Sequence, residues 1–193
     1  MSNEYTTLPD DLPEPADDGA ADHLPGRSVP AVSLPATNGD VVDLSADLGR
    51  VVIYIYPKTG RPDKDVIPEG WNSIPGARGC TPEACGFRNH YQALLTRGVT
   101  AVFGLSLQSS SYQREVRDRL DLPFELLSDD DRALTDELRL PTFEIDGEVF
   151  HKRLTLILAD GTIEHVFYPV FPPDTHATEV VQWLDANPRS ASS

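Results

Sequence analysis

Residues Val51–Tyr56 read VVIYIY, an unbroken run of β-branched and aromatic side chains. Such a run has nowhere to put a polar face, so it must be a central strand covered on both sides. The periodicities around it alternate between strand and helix. Ala31–Leu34 and Val41–Leu44 flank Asn38-Gly39, and Thr155–Leu158 and Ile163–Tyr168 flank Asp160-Gly161. Both pairs tolerate positive φ, which makes each a hairpin signal. Strands are expected at Val99–Leu105 and Phe124–Leu127, and helices from Thr81 to Gly98, at Ser111–Leu120, near Arg132–Leu138 and at about Thr175–Ala186. The expected fold is an α/β sandwich: a central mixed sheet with helices on both faces and an N-terminal β-hairpin.

The chain has 193 residues, 39% of them apolar and 24% charged, enough for one domain plus a tail. Residues 1–26 carry seven acids (Glu4, Asp10, Asp11, Glu14, Asp17, Asp18 and Asp22) with no Lys or Arg, so they are expected to be a disordered, solvated tail. The domain proper is expected over 27–187, with 188–193 frayed. Sixteen Lys and Arg against 31 Asp and Glu leave a net charge of −15, which disfavours nucleic acid and anionic lipid as partners. No apolar run approaches the ~20 residues of a membrane span, and no signal peptide is readable. The expected location is the cytoplasm.

Two cysteines are too few for a secreted disulfide scaffold. They stand in Gly79-Cys80-Thr81-Pro82-Glu83-Ala84-Cys85, where a long Pro- and Gly-rich loop over 57–79 meets a helix. Thr81 is the expected N-cap and Pro82 the first helical residue. A thiol at a helix N-terminus is shifted toward thiolate, the nucleophilic form. Five residues of α-helix separate two Cα atoms by roughly 8–9 Å, whereas a disulfide wants ~4.4–6.8 Å. Cys80 and Cys85 can therefore bond only if the first turn unwinds. Zinc binding is set aside, because there is no second cysteine pair, and the four-residue spacer is not that of a thioredoxin-type motif.

Taken together, Tyr56-Pro57-Lys58, the stretch Gly79–Arg88 (GCTPEACGFR) and Arg153–Leu158 (RLTLIL) before Asp160-Gly161 resemble the peroxiredoxins, in the bacterioferritin-comigratory or Q-type branch. The resemblance spans about residues 25–187. It implies a thioredoxin-like fold and a peroxidase that reduces hydrogen peroxide and organic hydroperoxides and is recycled by thioredoxin or a similar dithiol. It implies Cys80 as the peroxidatic cysteine, Cys85 as the resolving one, and Arg153 as the cation that supports thiolate and peroxide. Pro57, Thr59, Gly79 and Thr81 are the candidate substrate-binding residues. No metal, haem, flavin or other cofactor is called for, and the expected state is monomer or homodimer. The alternatives are a peroxide-sensing redox switch, or a disulfide oxidoreductase on a related scaffold.

The sequence departs from the family in one place. The family's Pro and Thr upstream of the peroxidatic cysteine fall at Ser73 and Ala77, after an insertion over 58–74. The hydroxyl that would orient peroxide is left to Thr59 or Ser73. The insertion, with Trp71, is open to reading as a lid, a dimer contact or a decorated loop. Asp129-Asp130-Asp131 reads as a helix cap rather than a metal cluster, and Phe167–Pro173 as apolar packing near the active-site loop.

Overall fold

The computed structural model describes residues 7–65 and 67–190. Two short strands, β1 (Ser33–Pro35) and β2 (Val41–Asp43), form the expected N-terminal hairpin. Then come β3 (Arg50–Ile55), α1 (Cys80–Leu95), β4 (Val99–Ser106), α2 (Ser110–Leu120), β5 (Leu126–Ser128) and α3 (Ala133–Leu138). The chain continues through β6 (Thr142–Ile145), β7 (Glu148–His151), β8 (Leu154–Ala159) and β9 (Thr162–Phe167) to α4 (His176–Ala186).

The central sheet runs β5-β4-β3-β8-β9. β3, β4 and β5 are parallel, while β8 is antiparallel to both β3 and β9, so the sheet is mixed as expected. Alternate residues of β3 sort onto opposite faces, as the two-residue period requires. Val52, Tyr54 and Tyr56 enter one core with Phe87 of α1, Val116 of α2 and Val180 of α4. Val51, Ile53 and Ile55 enter the other with Leu134 and Leu138 of α3. Tyr54 stacks on Phe87 with ring centroids 4.6 Å apart, which ties α1 to the centre of the sheet.

The structure differs from the sequence expectations in three places. α1 begins two residues early, with Gly79 and not Thr81 as its N-cap. Gly79 holds φ +110°, and a Cβ there would run into the Pro173 ring and come within 2.9 Å of Leu8, so only glycine fits. A hairpin that the sequence reading passed over, β6–β7, turns at Asp146-Gly147, both at positive φ.

The third difference is the acidic segment. Its first six residues lie outside the described ones, as do Ala191–Ser193 of the expected frayed end. Residues 16–26, however, are laid on the domain rather than solvated. Ala21 and Leu24 are buried in the second core, and Gly26 N–H donates to Ile163 O at 2.8 Å. Asp18 accepts from Lys152 Nζ and from the Tyr168 hydroxyl, both at 2.7 Å. These contacts offset the cost of ordering an acidic stretch that has no cation of its own.

Candidate active site

The register Ile55↔Leu154 places the start of β8 beside the end of β3. Arg153 precedes Leu154, and the chain leaving β3 returns through residues 57–79 to begin α1 at Cys80. Sheet pairing thus brings together two residues 73 positions apart, and Arg153 Nη2 donates to Cys80 Sγ at 3.2 Å. The same guanidinium gathers the loop ahead of the cysteine, donating to Gly76 O at 3.2 Å, Ala77 O at 3.3 Å and Arg78 O at 3.4 Å. Its other terminal nitrogen pairs with Glu83, which is fully buried one turn along α1 on the cysteine's face.

The electrostatics correct the expectation drawn from the helix terminus alone. Burial pushes the Cys80 thiol up, and the nearby Glu83 carboxylate adds to the push; the Arg153 guanidinium and the Lys58 amide pull the other way without reversing it. Burial likewise raises Glu83 against the pull of Arg153. For Arg153 burial opposes the charge, but Cys80 and Glu83 outweigh it and hold the guanidinium firmly protonated. Cys80, Glu83 and Arg153 form a buried triad in which one cation serves two acids.

Cys80 opens onto a cavity of about 50 Å³, whose walls include Lys58, Asp65, Gly79 and Thr81. Gly79 and Thr81, two of the candidate substrate-binding residues, therefore line the cavity beside Cys80. Pro57 and Thr59 do not line this cavity. Thr59 is turned to Gln108, donating its hydroxyl to Oε1 at 3.2 Å, and Ser73 is exposed in a 3-10 turn over Trp71–Ser73. Neither candidate for the orienting hydroxyl fills that place. Arg153 does not line this cavity but a second one of about 280 Å³, with Pro15, Gly76 and Tyr168.

Both cysteines are free thiols, Cys80 buried and Cys85 half-buried, on one uninterrupted helix. The Cys80–Cys85 disulfide is incompatible with that helix on the spacing given above. Three positions escaped the sequence reading. Glu83 was quoted in its motif without a role, although its spacing of three from Cys80 puts both on one helix face. Lys58 was quoted in its motif without a role, and Asp65 entered only as a member of the loop. Among the described residues no group of His, Cys, Asp and Glu is arranged to hold a metal. Asp129 accepts from Leu134 N, Thr135 N and the Thr135 hydroxyl, the capping expected of it. Pro173 packs on Gly79, and Tyr168 and Val170 lie beside Arg153, so Phe167–Pro173 backs the active-site loop.

Residues 24–182 match the Redoxin family. Peroxiredoxin Bcp of Escherichia coli K12 is 32% identical over 169 residues, covering 82% of this chain and 94% of the relative. The chain is a peroxiredoxin of the redoxin family. This peroxiredoxin is also 27% identical over 162 residues to the chloroplastic peroxiredoxin Q of Oryza sativa subsp. japonica, covering 83% of the chain and 66% of that protein. Among solved structures it resembles peroxidoxin BcpB of Mycobacterium tuberculosis, with a TM-score of 0.69 and 25% identity over 87% of this chain and all of that one. Peroxiredoxin Q of Xanthomonas campestris, at 23% identity and a TM-score of 0.66, shares the fold. The architecture is the expected thioredoxin-like one, and the protein is a thiol peroxidase.

Proposed function

We propose that Cys80 is the peroxidatic cysteine, Cys85 the resolving one, and Arg153 the cation that stabilises the thiolate. The observation that carries this reading is the 3.2 Å contact between Arg153 Nη2 and the Sγ of Cys80, a residue that lines an open cavity. The Cys80 thiolate attacks the terminal oxygen of a hydroperoxide. An S–O bond forms as the O–O bond breaks, leaving sulfenic acid on sulfur and releasing water or an alcohol after proton uptake. The first turn of α1 then unwinds, Cys85 attacks the sulfenic sulfur, and water leaves as the disulfide forms. A dithiol donor of the thioredoxin kind reduces it.

The helix supports this division of labour. Cys80 is locked by Arg153, whereas Cys85 is half-buried and pairs with no cation among the described residues. The −15 charge argues for peroxide and protein dithiol as partners and against nucleic acid. Val41 is the one exposed large apolar side chain among the described residues, which supports a monomer. Two free thiols suit the reducing cytoplasm.

The test is stopped-flow mixing of reduced protein with hydroperoxide, with thiols counted afterwards. Wild type loses two thiols quickly. Cys85→Ser loses one at the same rate and is not recycled by thioredoxin, and Cys80→Ser loses none. Normal turnover in either variant would overturn the assignment.

A further inference from the structure

The inserted stretch 58–74 forms one wall of the cavity onto which Cys80 opens. Ile67, Pro68 and Trp71 contribute to it together with Ala77, the residue standing where the family carries a hydroxyl. This wall is rigidly backed. Trp71 packs edge-on against Phe150 at 5.0 Å and lies 5.7 Å from Phe143, so the β6–β7 hairpin buttresses it. Trp71, Ala77 and Phe150 form their own small core, flanked by Ile67 and Ile74. The cavity also carries polar side chains, among them Lys58, Asp65 and Thr81.

A cavity of about 50 Å³ has room for roughly three or four water-sized groups. That accommodates a hydroperoxyl group and the first one or two carbons of a chain. A carbon bearing three methyl groups next to the oxygen is bulkier there than a methylene, and Phe143 and Phe150 back Trp71 against it. Hydrogen peroxide fits, but it would meet hydrocarbon where an orienting hydroxyl stands in the family, and it has no methylene to pack there.

We propose that the Ile67–Pro68–Trp71 wall makes this enzyme selective for unbranched alkyl hydroperoxides, over both hydrogen peroxide and tertiary hydroperoxides. The inference rests on Cys80 being the peroxidatic residue. The reaction is RCH2OOH plus the Cys80 thiol giving RCH2OH plus Cys80 sulfenic acid. Sulfur takes the terminal OH oxygen, and the leaving alkoxide takes the thiol's proton. With the sulfur attacking the terminal oxygen, the alkyl chain lies on the Ile67–Trp71 side of the cavity. Each methylene packed in a fitted apolar pocket changes kcat/KM by roughly ten-fold or more.

The experiment is the second-order rate of Cys80 oxidation by n-propyl hydroperoxide, tert-butyl hydroperoxide and hydrogen peroxide, on wild type, Ile67→Ser and Trp71→Ala. In wild type n-propyl hydroperoxide is expected to react at least ten-fold faster than either of the others. Ile67→Ser is expected to lower the n-propyl to hydrogen peroxide ratio five-fold or more, and Trp71→Ala to raise the tert-butyl to n-propyl ratio. Should Trp71→Ala not fold, Ile67→Ser at the half-buried rim decides alone. A wild type that reacts with hydrogen peroxide as fast as with n-propyl hydroperoxide, or an Ile67→Ser with an unchanged ratio, overturns the proposal while leaving Cys80 peroxidatic. If none of the three oxidises Cys80, the peroxidase assignment of that residue fails and this inference with it.

Discussion

Glu83 and Cys80 share one guanidinium: Arg153 Nη1 binds the carboxylate while Nη2 reaches the sulfur at 3.2 Å. The two acids push on each other and the cation pulls on both, so removing either neighbour moves the thiol in opposite directions. Arg153→Met is expected to raise the Cys80 thiol further and to slow its oxidation by about a hundred-fold at neutral pH, consistent with a lost charge-stabilising donor. Glu83→Gln is expected to lower the thiol, since Glu83 adds to its elevation. Rates of iodoacetamide alkylation against pH read both shifts, and a shift of the same sign in the two variants would contradict the shared-cation geometry.

Oxidation should melt α1 locally. Amide exchange at residues 81–86 is expected to accelerate at least ten-fold in the disulfide form, because the bonded pair cannot span a helical turn. Phe87 stacks on Tyr54 and is fully buried, so protection is expected to resume from there. Equal protection in the two redox states would mean that the disulfide forms without unwinding.

The acidic N-terminal segment contributes to stability through its apolar side chains more than its charges. Leu24 is completely buried, and Leu24→Ala is expected to cost about 2–4 kcal/mol in urea unfolding. Asp18→Asn breaks a half-exposed pair with Lys152 and is expected to cost less than about 1 kcal/mol. A solvated tail would show no loss from either change.

Acid sensitivity is expected to centre on His151. The Thr135 hydroxyl donates to Asp129, so His151 Nε2 must donate to Thr135 at 2.7 Å, leaving Nδ1 buried without a partner among the described residues. Burial and, secondarily, Arg132 push the imidazole down to about 3 from an ordinary 6.5. The unfolded chain therefore binds a proton that the folded one refuses. Stability is full above pH 6.5 and falls as pH drops toward 3, by on the order of 4 kcal/mol. His151→Gln should flatten the urea-midpoint profile over that window, and a profile as steep as wild type's would place the acid-labile group elsewhere.

VVIYIY announced the centre of the sheet because no other element tolerates such a run. Asn38-Gly39 and Asp160-Gly161 announced two hairpins; Cys80 drew notice because a thiol at a helix start is a reactive one, and Arg153 was named through the resemblance of Arg153–Leu158 to the family's motif. Asp146-Gly147 is the same kind of signal, but its strands are four residues each and one face of them packs only into the small cluster around Trp71 and Ala77, so their period was weak. The docking of residues 16–26 was hidden because Asp18 finds its partners at Lys152 and Tyr168, far along the chain. Thr59 was misplaced for a similar reason: Gln108, 49 residues away, takes its hydroxyl.

Arg153 is held by the pairing of β8 with β3, and Cys80 by the first turn of α1, which the proposed cycle unwinds. One jaw of the site is bolted to the sheet and the other is hinged. The hinged jaw needs no search to find its mate once the disulfide is cut, because winding one turn returns the sulfur to a cation that never left. A turn of helix forms within about a microsecond. Rearming the enzyme would then be limited by its encounter with the dithiol donor and not by its own refolding.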